Sequence, residues 1–125
     1  MSNDVDLTEC RECLCQAARV EAQRLTRMFD VRLRPFGLTI NQFSLLATLV
    51  LAGPQTVTRL AGRLGIHRTT LTRNLSLAER RDLVTTTASE DSRERLIEIT
   101  VAGRALVSSA FPAWHAAQQQ AKTSR

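Results

Sequence analysis

The chain has 125 residues, 43% apolar and 23% charged, enough for one domain with a modest core that a partner subunit would help to stabilise. Its longest apolar runs are far too short to cross a bilayer, and the acidic start MSNDVDLTEC has no apolar stretch of signal-peptide type, so the expected compartment is the cytoplasm. The formal net charge of +5 is concentrated: residues 1–34 hold six arginines against six acids, whereas residues 59–81 hold Arg59, Arg63, Arg68, Arg73, Arg80 and Arg81 against Glu79 alone. Such a window is an electrostatic footprint for nucleic acid or another anionic surface, with a solvated helical face as the plain alternative.

In chain order, residues 7–34 read as one long helix, because Leu14, Ala18, Ala22, Leu25, Phe29 and Leu33 recur at three- and four-residue steps. Pro35 and Gly37 end it. Thr39, three residues before Gln42, forms a capping box that opens a second helix, INQFSLLATLVLA, apolar almost all round and therefore central. After the Gly53-Pro54 break, Val57, Leu60, Ala61 and Leu64 give the stripe of a short third helix that Gly65 stops. Only Ile66 and His67 separate it from the next helix, which allows nothing but a tight helix-turn-helix.

That fourth helix begins HRTTLTRNLSLAERRDLV. Leu71, Leu75 and Ala78 form its apolar edge, and Arg68, Thr69, Thr72, Arg73 and Ser76 lie opposite. The outer face offers hydroxyls and guanidinium forks without a carboxylate, which suits a polyanion. From Leu83 to Thr100 the period becomes alternating: LVTTTA and RLIEIT flank a polar SEDSRE, a two-stranded hairpin with Ile97 and Ile99 toward the core and an irregular, charged tip. Thr100 caps a last helix, from Val101 to about Gln120, kinked at Pro112, and the polar tail beyond it is expected to fray.

This order is that of a mostly α (α+β) winged helix-turn-helix, and the chain resembles the MarR family of bacterial transcription regulators over essentially its whole length. Three segments carry the likeness: LRPFGLTINQFSLLATL at 33–49, TVTRLAGRLGIHRTTLTRNLSLAERRDLV at 56–84 and DSRERLIEITVAG at 91–103. The last matches a wing pattern of D-x-R followed by an apolar-Thr-x-x-Gly ending. Two departures stand out. Asp82 occupies a position that is commonly glycine in the family, and the chain stops about one helix before the usual C-terminal clamp.

The resemblance implies that the start of the fourth helix enters a major groove, with Arg68, Thr69, Thr70, Thr72, Arg73 and Asn74 as the DNA-binding candidates. Arginine can donate twice to guanine, asparagine can pair with adenine, and threonine can meet a thymine methyl or a phosphate. At the wing, Arg93 resembles the family arginine that reaches into a narrow, negative minor groove, Asp91 the acid that orients it, and Arg95 a phosphate contact. An ordinary charged turn is the alternative there.

The cysteines of CRECLC, Cys10, Cys13 and Cys15, are expected to be reduced at rest in a cytoplasmic protein. Three readings stand: small packing residues, a redox switch, or a metal site. Cys15 lies where the peroxide-sensing branch of the family places its reactive cysteine, although the tyrosines of that branch are missing here. His67 and His115 are far apart in sequence with no nucleophile, phosphate-loop or metal spacing beside them, so no enzymatic activity and no cofactor is expected. Trp114 with Phe111 reads as helix-against-helix packing, while the family's aromatic effectors bind between the dimer helices and the reading head.

The expected architecture is thus one domain over 1–125, with residues 7–34 and 101–120 as dimerisation helices and 39–100 as the DNA-binding lobe. The expected function is a regulator, a repressor, that binds a pseudo-palindromic operator as a homodimer and answers a small-molecule or redox signal. The rival is an interaction protein that does not bind DNA and titrates a longer family member.

Overall fold

A computed structural model describes residues 4–88 and 94–124. Helix α1 spans Leu14–Leu33 and is followed by a 3-10 turn, Arg34–Phe36, after which α2 spans Ile40–Ala52. A two-residue strand β1, Gln55–Thr56, leads into α3, Val57–Leu64, and α4, Arg68–Arg80. Strands β2, Val84–Ala88, and β3, Arg95–Ile99, precede α5, Val101–Thr123.

Local chemistry accounts for the boundaries. The Thr39 hydroxyl accepts from Gln42 N at 3.2 Å and the Gln42 side chain accepts from Thr39 N at 3.0 Å, so the capping box is complete. A cap of this kind is worth about 1 kcal/mol. Asp30 on α1 adds a second tie, accepting from Ile40 N at 2.7 Å. Gly65 closes α3 at φ 63°, the left-handed conformation that glycine adopts without a Cβ penalty. Asp82 closes α4 in the same region, at φ 58°.

α2 is central, as its composition demands: Phe43, Leu45, Leu46 and Leu49 are buried with Leu33, Leu60, Leu71 and Ile97 in one core. Its far side is open, however, with Leu51 87% exposed. Trp114 on α5 joins this core to a smaller one made by Phe29, Ala117 and Ala121, lying 6.0 Å from Phe43 and 6.4 Å from Phe29 between ring centroids. The packing role expected of Trp114 is met.

Two expectations are corrected and a third is extended. The N-terminal helix does not start at residue 7: Thr8–Glu12 is a 3-10 turn and Cys13 is extended, with ψ 113°. No tertiary packing supports that region, since every described residue up to Gln23 is exposed, and its threonine and cysteines are weak helix formers. Only Leu25, Phe29 and Leu33 of the α1 stripe pack on the body, while Leu14 is 85% exposed.

The two-stranded hairpin is present as β2 and β3, and a strand not expected from the sequence, β1, extends it to a three-stranded sheet. β1 pairs with β3 (Gln55 opposite Ile97, Thr56 opposite Leu96), giving the order β1-β3-β2 with both pairings antiparallel. The Gly53-Pro54 break leaves these two residues extended beside β3. Gln55, 6% exposed, fills the bend by donating to the carbonyls of Ala52, Gly53 and Pro54. Ile97 is buried and Ile99 packs on the core, as the alternation requires.

The tail does not fray after Gln120. α5 runs as one helix through Pro112 to Thr123, because Ala117 and Ala121 are small enough to let it lie against α1, and Arg24 and Arg32 of α1 donate to Ser124 and Gln120. Among the described residues no helix is long and apolar enough to cross a membrane.

Candidate nucleic-acid interface

Leu71, Leu75 and Ala78 fasten α4 to the core, and this fixes which side chains face away. Arg68, Thr69, Thr72, Arg73 and Ser76 are exposed, and Thr70 and Asn74 flank them half-buried. Residues 69, 72, 73 and 76 follow the one-face spacing of a helix, so they form a continuous strip. None of the six candidate side chains on α4 hydrogen-bonds to another described residue.

The start of α4 is equally open. His67 is its N-cap in extended conformation, with no side-chain cap bond and no acidic residue in the first turn. The first backbone N–H groups and the positive end of the helix dipole therefore face outward together with Arg68. α3 stands behind this face, its own start capped by the Thr56 hydroxyl, which accepts from Arg59 N at 3.2 Å. Arg63 of α3 donates through Nε to the Gln55 Oε1 at 3.2 Å, which couples α3 to the buried glutamine of the bend.

The wing flanks α4. The Thr86 hydroxyl on β2 donates to Glu79 Oε1 on α4 at 2.7 Å, which orients the strand pair against the helix. Arg95 opens β3 opposite Ala88 and is exposed at the end of the described ladder. Asp91 and Arg93, the expected minor-groove pair, lie outside the described residues, as do all of 89–93 in the tip whose irregularity was expected.

Two of the sequence readings change at this level. Arg81, one of the six arginines of the basic window, faces not outward but back: its Nη1 donates to the Gly37 carbonyl at 2.6 Å and its Nη2 to the Phe36 carbonyl at 3.3 Å. The three cysteines are all exposed and free, so within this chain they are not packing residues. Cys15 Sγ accepts a long contact from Arg19 Nη2 at 3.8 Å. Among the described residues no three His, Cys, Asp or Glu side chains are grouped to hold a metal ion. His115 stacks on Phe111, 5.9 Å between centroids, far along the chain from His67.

A helix pair joined by a left-handed glycine, its second helix presenting an exposed cationic and hydroxylic strip beside an antiparallel wing, defines a winged helix-turn-helix. The MarR family model matches residues 36–94. MosR, a transcriptional regulator of M. tuberculosis crystallised in complex with DNA, is 43% identical with a TM-score of 0.82, over 91% of this chain and 84% of that one. A mutant MarR of E. coli complexed with operator DNA shares the fold, with a TM-score of 0.82 at 21% identity over 96% of this chain and 87% of that one. The uncharacterized HTH-type transcriptional regulator YwoH of Bacillus subtilis is 33% identical over 85 residues, which is 68% of this chain and 59% of the relative's length. The chain belongs to the MarR family, whose members are transcriptional regulators and not enzymes.

Proposed function

We propose that the protein is a DNA-binding transcriptional repressor that grips a pseudo-palindromic operator as a homodimer. The observation that carries this reading is the strip of Arg68, Thr69, Thr72 and Arg73, exposed and without hydrogen-bond partners among the described residues at the uncapped start of α4. In the major groove these groups would read base edges and hold phosphates, with Thr70 and Asn74 at the margin and Arg95 of the wing on the backbone. Asp91 and Arg93 would serve the adjacent minor groove.

The homodimer is supported by apolar groups left in water. Leu14 and Val20 on α1 are 85% and 61% exposed, and Phe111 on α5 is 51% exposed. A second copy covering α1 and α5 would set two recognition helices about 34 Å apart, one turn of DNA. The regulatory signal is a small molecule or a redox event. For the former, a groove of about 330 Å³ between α2 and α5, lined by Phe43, Ala47, Val50, Leu51, Phe111 and Trp114, has the size and apolar character of a site for a small aromatic effector. For the latter, Cys10, Cys13 and Cys15 are accessible. The site of action is the cytoplasm.

The test is selection of duplexes from a random library by the full chain, followed by titration of the enriched sequence at several salt concentrations. A two-fold symmetric motif is expected, with affinity falling steeply with salt at a log-log slope of roughly −0.9 per phosphate neutralised. No enrichment at low salt, together with tight pairing to a longer family member, would instead establish the titrating partner.

A further inference from the structure

The C-terminal end of α4 is fastened on two sides by polar contacts that the reading strip does not use. On one side Arg81 places both terminal nitrogens on the carbonyls of Phe36 and Gly37, the corner where α1 gives way to α2. Gly37 suits that corner twice over: its φ is 67°, and a Cβ added there would lie 3.2 Å from Arg81 Nη2. On the other side the Thr100 hydroxyl donates to the Asp82 carbonyl at 2.6 Å while accepting from Gly103 N at 3.0 Å, and Thr100 N donates to the Leu83 carbonyl at 3.0 Å. Three successive residues, 81–83, are thus tied to the end of α1 and to the start of α5.

These ties are not needed to close α4. Asp82 N already donates to Glu79 O at 3.0 Å and Leu83 N to Ala78 O at 2.9 Å, which completes the helix end by itself. What the Arg81 fork and the Thr100 hydroxyl add is orientation between elements. A guanidinium on two carbonyls fixes a direction as well as a distance, which a single ammonium cannot do.

We propose that Arg81 and Thr100 are positioning residues for DNA recognition, which lock the angle of α4 to α1 and α5 and so set the separation of the two recognition helices in a dimer. The inference rests on the DNA-binding reading above. Its mechanics follow from the length of α4: Arg68 lies about 20 Å along the helix axis from Arg81, so a tilt of about 5° at the fastened end carries Arg68 through roughly 2 Å. A displacement of that size exceeds the tolerance of a hydrogen bond to a base edge. Loosening the fastened end would therefore leave each reading head able to bind while blurring the distance between the two.

The experiment uses the duplex enriched by the wild-type chain, with variants whose half-sites are moved closer or further apart by one base pair, and a duplex carrying a single half-site. Wild type is expected to lose roughly tenfold in affinity for the one-base-pair variants, a shift of about 3.4 Å that two loosened heads moving roughly 2 Å each could absorb, within the several-fold to thirtyfold range of such coupling. In Arg81→Met, which keeps an apolar stem without donors, this penalty should shrink to less than about threefold, with single half-site affinity within about twofold of wild type. Arg81→Lys, which keeps the charge but not the fork, should behave like Arg81→Met, and Thr100→Ser, which keeps the hydroxyl, like wild type.

If Arg81→Met does not fold, Arg81→Lys carries the same comparison. An unchanged spacing profile in the folded variant, or a half-site affinity that falls in step with the full site, would overturn the inference while leaving the DNA-binding reading intact. A wild-type chain that enriches no duplex would overturn both.

Discussion

Gly103 of α5 lies directly beneath the Leu83 carbonyl: a Cβ built on it would sit 2.3 Å from that oxygen and 2.7 Å from Ile99 Cγ1. Gly103→Ala therefore meets backbone rather than a side chain that could swing aside. The helix-propensity gain of about 1 kcal/mol is outweighed by overpacking, and we predict a net destabilisation of about 2 kcal/mol, read as a lowered thermal midpoint. Gly62→Ala is the contrast. Nothing lies within 4 Å of its added Cβ, so the same exchange in α3 should raise stability by up to about 1 kcal/mol. Equal melting of the two variants would contradict this.

Asp82 holds φ 58° without a glycine's freedom. Its bonds to neighbours run through the backbone, N to Glu79 O and O to the Thr100 hydroxyl, so Asp82→Gly removes strain without removing a contact. The relief, about 1 kcal/mol or a little more, is offset in part by the greater freedom of glycine in the unfolded chain. A gain of about 0.5 kcal/mol in denaturant unfolding is expected, and a loss would show that the carboxylate has a role of its own.

Arg73 is exposed on α4 and makes no hydrogen bond with another described residue. Arg73→Ala should leave the thermal midpoint within a degree or so of wild type while weakening binding of the selected duplex by roughly tenfold to a hundredfold, with relaxed preference at one base position. Arg95→Ala should act differently, weakening all sequences alike and lowering the salt slope by about one phosphate. Isothermal titration on duplexes mutated one position at a time separates the two outcomes.

The three exposed cysteines make a prediction about reactivity. At concentrations low enough to keep copies apart, all three thiols of the folded chain should react with a disulfide reagent as fast as those of the unfolded chain, because no packing shields them. Slow reaction of any one of them would show that it is covered.

Much of this arrangement was legible beforehand, for reasons that differ from element to element. The helix-turn-helix could be read because the period of its first helix, the Gly65 that stops it and the two residues left before the next helix all point one way. The capping box at Thr39 and Gln42 is a two-residue signal with one geometry. β1 could not be read: two residues carry no period, and the pairing of Gln55 with Ile97 spans a long stretch of chain. The part taken by Arg81 was hidden by counting. A charge sum treats six arginines as equivalent, whereas carbonyls exposed at a distant corner claim one of them. Thr100 and Gly103 were visible as a Thr-x-x-Gly pattern, but why the glycine is needed appears only once Leu83 lies against it.

Residues 4–23 lie before the contact of Arg24 with Ser124 at the end of α5, and all of them are exposed. The unsupported first half of α1 and the 3-10 turn before it open readily in water, which makes their backbone available to a protease. Arg11 and Arg19 stand within this stretch as sites for trypsin. Cleavage there would consequently act as a gauge of assembly, rapid in a solitary chain and slow wherever another surface holds the stretch in place, so that a digestion series against protein concentration would give the association midpoint without any DNA present.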